Sequence, residues 1–105
     1  MIATEFDSYD GLGLADLVRR GDVNAGELLE IAIARVEAGN PELNAVVSRL
    51  YDQARAAIAA GLPEGPFTGV PYLLKDLGAH YPGAVTSFGS ALFKDFVADY
   101  DSEIT

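Results

Sequence analysis

Gly69-Val70-Pro71-Tyr72-Leu73-Leu74-Lys75-Asp76 is an apolar run that opens on a glycine and ends abruptly on a lysine and an aspartate. The residues from Val70 to Leu74 show no polar alternation. An exposed strand face selects a polar side chain at every second place, so an unbroken apolar run points to a strand covered on both faces. A buried helical turn carries the same signature. The brevity of the run and the bounding Gly69 and Gly78 favour the strand, while Pro71 removes one ladder donor and belongs at a strand's start or on an edge. The pattern predicts a strand over about residues 70–75 that delivers Lys75 to its end. In sheets flanked by helices, ligand sites collect at such ends.

From the residues alone two roles are open to Lys75. A lysine next to an apolar run acts structurally when its stem packs and its ammonium reaches water or a carboxylate. It acts as a base only when neutral, and burial favours that form by penalising the charge. A base role therefore predicts a partly dry ammonium at a sheet margin. Asp76 would hold the charge or fix nearby backbone.

Upstream of this run the chain reads as helical. Leu14, Leu17 and Val18 fall at helical spacing between Asp10 and Arg20, with Asp16 placed to pair with Arg19 or Arg20. Gly21 and Asp22 break that helix. Asn24, with Glu27 three residues on, forms an asparagine-headed capping box for a second helix over about 25–38. Its apolar face is Ala25, Leu28, Leu29, Ala32, Ile33 and Val36, and Gly39-Asn40-Pro41 marks its expected stop. Leu43 to Val47 fits either a short strand or an extended approach to a third helix over about 50–60, where Asp52 reaches Arg55. Gly61, Pro63, Gly65 and Pro66 make residues 61–68 a turn-rich linker.

After Asp76 a loop-rich stretch over 77–98 is punctuated by Gly78, Pro82-Gly83 and Gly89, with Thr86, Ser87 and Ser90 supplying hydroxyls. His80, the single histidine, reads as a solvent-exposed loop residue. The acids among Asp99, Asp101 and Glu103 suit a helix N-terminus.

Sixteen acidic residues against seven basic ones give the 105-residue chain a net charge of -9. That balance makes nucleic acid and anionic membrane poor partners. The absence of cysteine excludes disulfides, thiolate metal ligands and a cysteine nucleophile. One histidine and irregularly spaced carboxylates match no zinc or calcium pattern, so no metal and no cofactor is expected. Acids at Glu5 and Asp7 oppose a signal peptide, and no apolar run approaches the roughly 20 residues of a membrane span. A soluble, cytoplasmic protein is the expectation.

At Gly69-Val70-Pro71-Tyr72-Leu73-Leu74-Lys75-Asp76, then Gly83, Thr86, Gly89-Ser90 and Asp101, the chain resembles the N-terminal block of the amidase signature family of serine amidohydrolases. Glu27-Leu28-Leu29, Ala34-Arg35-Val36-Glu37, Asn40-Pro41-Glu42-Leu43-Asn44-Ala45 and Gln53-Ala54 extend the likeness upstream to about Leu14. The wording from Gly65 to Leu77 is most similar to the branch containing the 6-aminohexanoate cyclic-dimer hydrolases, which act on nylon-type oligoamides. The resemblance implies an α/β fold, of which this chain is an N-terminal fragment: a helical preface, then the first strands of a mixed sheet covered by helices. It implies that Lys75 is the base of a Ser-cisSer-Lys relay acting on a small-molecule amide. The family's serines have no counterpart, because the chain holds no adjacent glycine pair and no adjacent serine pair. The piece alone is therefore expected to be inert, and Ser87 and Ser90 are not assigned the missing roles. Homo-oligomerisation of a full-length enzyme is left open. Two rivals stand beside this reading, the A subunit of glutamyl-tRNA(Gln) amidotransferase and a non-catalytic acidic helical interaction module.

Overall fold

The computed structural model describes residues 3–102, which divide into two compact units, one ending at Pro71 and one beginning at Tyr72. The first unit is helical: α1 Ala3–Phe6, α2 Gly11–Arg20, α3 Ala25–Leu43 and α4 Tyr51–Ala60. The second contains a short 3-10 turn, Ala91–Phe93.

The helices α2 and α3 of the first unit start where a side chain can satisfy an orphan amide. Asp10 Oδ1 accepts from the Gly13 N–H at 2.7 Å to open α2, and Asn24 Oδ1 accepts from the Glu27 N–H at 2.8 Å to open α3. In the second case Asn24 Nδ2 also donates to Glu27 Oε1 at 2.8 Å, so the capping box closes side chain to side chain. α2 ends at Gly21, whose φ of 79° is left-handed and costs glycine little. Asp16 pairs with both Arg19 and Arg20, and Asp52 with Arg55, as the spacing predicted.

The core is small. Leu14, Leu17, Val23 and Leu28 are buried together, with Phe6, Val18 and Val70 packed against them. Leu28 is the one large side chain with no exposure among the described residues; the rest of the expected α3 face is half-buried. Gly69 lies against this core at φ 90°, and a Cβ there would meet Val18 Cγ1 at 3.0 Å, so glycine is required twice over. Thr68 tightens the preceding turn by donating its hydroxyl to the Pro63 carbonyl at 2.8 Å.

Surface ion pairs fasten the helices to one another. Arg35 meets Asp7 at 2.8 Å and lies 5.4 Å from the centre of the Phe6 ring, joining α3 to α1. Arg55 bridges α4 to Glu30 of α3, while Arg49 and the Tyr51 hydroxyl both bond Glu37. Hydrogen bonds from these partners hold the Glu30 and Glu37 carboxyls below the ordinary glutamate value of 4.5.

The backbone of the first unit and of the run that follows it departs from the sequence-based expectations at several points. α1 has no counterpart among the helices expected from the sequence, and its Phe6 packs against the buried cluster of Leu14, Leu17, Val23 and Leu28. α3 does not stop before Pro41 but runs to Leu43. Pro41 lacks only the N–H that would reach the Glu37 carbonyl, a small loss in a last turn held from beyond. There the Asn44 N–H reaches the Asn40 carbonyl at 2.6 Å. The buried Asn40 amide accepts from the Val46 N–H at 2.8 Å and donates to the Val46 carbonyl at 2.9 Å. Of the two readings of Leu43 to Val47 the strand does not form: Leu43 closes α3 and the rest is the approach to α4, clamped by the Asn40 side chain.

A further departure concerns the organising run itself. Residues 70–75 form no strand, and Tyr72 and Leu73 are 64% and 72% exposed rather than covered. A strand needs a neighbour offering a row of amides and carbonyls. Among the described residues the only β pairing is a bridge between Val85 and Val97, extended by bonds linking Gly83, Ala84 and Thr86 to Phe96 and Ala98. The described residues are thus helical with almost no strand. The acidic stretch expected to open a helix is described only to Ser102; its last residues lie outside the described range.

Candidate active site around Lys75

The second unit builds a frame around the segment that carries Lys75. The Leu77 N–H bonds the Lys75 carbonyl at 2.8 Å, closing a three-residue turn with Asp76 at its apex. Asp76 is half-buried, and both of its oxygens are engaged by one residue. Oδ1 accepts from the Ser87 N–H at 2.6 Å, and Oδ2 accepts from the Ser87 hydroxyl. The expectation that Asp76 fixes nearby backbone is met, at a partner eleven residues away.

Ser87 itself opens a tight turn. Its carbonyl accepts from the Ser90 N–H at 2.9 Å, and both central residues have positive φ, 56° at Phe88 and 68° at Gly89. This is the combination of a type I′ turn, comfortable for Gly89 and strained for Phe88. The Phe88 ring is held by Phe93 at 5.6 Å and by the edge of His80 at 6.1 Å. Ser90 then caps the 3-10 turn by accepting from the Leu92 N–H at 3.2 Å.

His80 is not the solvent-exposed loop residue that its glycine-flanked setting predicts. It is half-buried, stacks on Tyr100 at 4.9 Å, and its N–H donates to Ser102 Oγ at 2.8 Å. Its Nδ1 lies 3.0 Å from the Gly78 carbonyl and 3.1 Å from Ser102 Oγ. The Ser102 hydroxyl in turn donates to the Gly78 carbonyl at 2.8 Å. The bonds to Ser102 span more than twenty residues, so no local pattern in the sequence marks them.

Lys75 stands on this frame as an exposed side chain. The partly dry ammonium expected of a base is not supplied by the described residues, because the strand and its cover are missing around it. The Ser87 hydroxyl donates to Asp76, and the Ser90 hydroxyl oxygen accepts from the Leu92 N–H. No three His, Cys, Asp or Glu side chains converge among the described residues in the way a metal ion requires. No helix among them is long and apolar enough to cross a membrane.

A family model described as Amidase matches residues 27–105, which includes Lys75, Asp76, Ser87 and the whole second unit. The chain belongs to the amidase family. Among the curated relatives of this amidase-family chain are the 6-aminohexanoate-cyclic-dimer hydrolases of Pseudomonas sp. (strain NK87) and Paenarthrobacter ureafaciens, each 43% identical over 95 residues. Those alignments cover 89% of this chain and 19% of the relative. The A subunit of the glutamyl-tRNA(Gln) amidotransferase of Alkalilimnicola ehrlichii is 39% identical over 98 residues, covering 87% of this chain and 20% of the relative. The chain thus spans about a fifth of the length of the curated relatives it matches. No solved structure is matched. Family, helical preface and the Lys75 block agree with the resemblance drawn from the residues.

Proposed function

We propose that the chain is part of an amide-bond hydrolase in which Lys75 is the general base of a Ser-cisSer-Lys relay. The family match across the Lys75 segment carries this reading. The lysine takes a proton through one serine and so activates a second, which attacks the amide carbonyl; the C–N bond breaks as the relay returns that proton to the departing amine, and water then cleaves the acyl-serine ester to free the acid and the serine. A base role requires the neutral amine. In the working enzyme, residues beyond the described ones have to pair with the 70–75 run, cover Leu73 and dry the Lys75 side chain.

Identity to the two 6-aminohexanoate-cyclic-dimer hydrolases favours a cyclic or linear amide of an amino acid chain as substrate. Identity to the A subunit of an amidotransferase supports a second reading, in which the amide is that of glutamine. Turnover of glutamine only with a charged-tRNA partner would select it.

The test uses the full-length protein and the 105-residue chain side by side. Lys75→Ala is expected to lower amide turnover of the full-length protein by several orders of magnitude while its melting temperature stays close to wild type. The 105-residue chain is expected to be inert. Near-normal rates in Lys75→Ala, or turnover by the short chain, would overturn the assignment.

A further inference from the structure

We propose that Asp76 is a positioning residue for Lys75, its carboxylate locking the turn from which the catalytic lysine side chain departs. The inference rests on the amidase reading of Lys75 and adds to it a residue with a different job. Lys75 and Asp76 share one peptide plane, so whatever fixes Asp76 fixes the direction in which the Lys75 side chain leaves the backbone.

Three restraints meet at that plane. Ahead of it, the Leu77 N–H holds the Lys75 carbonyl at 2.8 Å across the turn. At its apex, the two oxygens of Asp76 grip the N–H and the hydroxyl of Ser87. Beyond it, the Gly78 carbonyl is held by the Ser102 hydroxyl at 2.8 Å. A carboxylate suits the apex because two acceptor oxygens face two donors of a single residue, and bonds to a charged acceptor are about twice as strong as neutral ones. The strain recorded at Phe88 points the same way. A non-glycine residue with φ 56° directly after Ser87 persists only where its surroundings over-determine it. Here they do so through Asp76 on one side and the Phe93 and His80 rings on the other. Asp76, Ser87, Phe88, His80 and Gly78 form a closed circuit around the lysine's own turn.

A base displaced by about 1 Å from its working position loses about 100-fold in rate. Asp76→Ala in the full-length enzyme is therefore expected to lower kcat about 100-fold, with KM within about twofold of wild type. Asp76→Asn keeps an acceptor for the Ser87 N–H, and its amide can donate to the Ser87 hydroxyl oxygen, so it should recover most of that loss. Ser87→Ala keeps the backbone bond and should fall between them. The measurements are kcat and KM for wild type, Asp76→Ala, Asp76→Asn, Ser87→Ala and Lys75→Ala on the amide that wild type turns over best in a panel of linear and cyclic amides. The Ser87 amide proton is followed by NMR as a direct readout of the bond. Asp76→Ala with wild-type kcat beside an inactive Lys75→Ala overturns this inference and leaves the base assignment standing. Asp76→Asn no better than Asp76→Ala also overturns it. A fully active Lys75→Ala, or a wild type with no amide turnover at all, removes the amidase reading and the positioning role together.

Discussion

Truncating Asn40 to alanine removes two hydrogen bonds at once, because its side chain both accepts from the Val46 N–H at 2.8 Å and donates to the Val46 carbonyl at 2.9 Å. At a net value of about 1 kcal/mol per neutral bond, the loss is about 2 kcal/mol. Asn40 is buried while Val46 is half-buried, so water reaches the abandoned backbone groups and keeps the penalty near that figure. An effect of this size shifts the folding equilibrium about 30-fold and lowers the melting temperature by about 8–16 °C for a domain of this size. Asn40→Asp separates the two bonds. Ionised, the new carboxylate still accepts from the Val46 N–H but opposes the Val46 carbonyl; protonated, it donates to that carbonyl as the amide did. The folded state thus raises the carboxyl pKa above its unfolded value. The stability that depends on the bound proton is fully present below the unfolded pKa and is lost as pH rises through the folded one. Thermal melts of wild type, Asn40→Ala and Asn40→Asp from about pH 3 to pH 8, the range in which a carboxyl titrates, are the assay. A melting temperature for Asn40→Ala within about 2 °C of wild type would refute the reasoning, as would an Asn40→Asp stability that, measured as the difference from wild type at each pH, rises with pH.

Leu28→Ala empties the one large side-chain site that is wholly buried among the described residues; a cost of about 2–5 kcal/mol is expected, read as loss of cooperative melting or a large drop in its midpoint. Acid should loosen α4 from α3. The Glu30 and Glu37 carboxyls are held down by Arg55, and by Arg49 and Tyr51, so their contribution is present above 4.5 and lost as pH falls through their folded values. Helical signal followed below pH 4.5 should respond less in Glu30→Gln than in wild type and less in high salt, since these pairs face solvent. An unchanged acid response in Glu30→Gln would remove that pair from the account.

Where a contact closes within one helical turn, the sequence determined it. Asn24 and Glu27, Asp16 with Arg19 and Arg20, Asp52 with Arg55, and Gly21 after α2 were all legible, because each partner lies three or four residues away or needs only its own backbone freedom. The likeness around Lys75 was legible too, since order and spacing of residue types are properties of the chain itself. Tertiary structure alone decided the features that join distant residues. It carried α3 past Pro41 by bringing Val46 back to Asn40, drew His80 out of solvent onto Tyr100 and Ser102, and turned Asp76 towards Ser87. It also left the 70–75 run without a ladder. An apolar run shows that a strand has something to bury, whereas its hydrogen bonds belong to whichever segment comes alongside, and among the described residues no segment does.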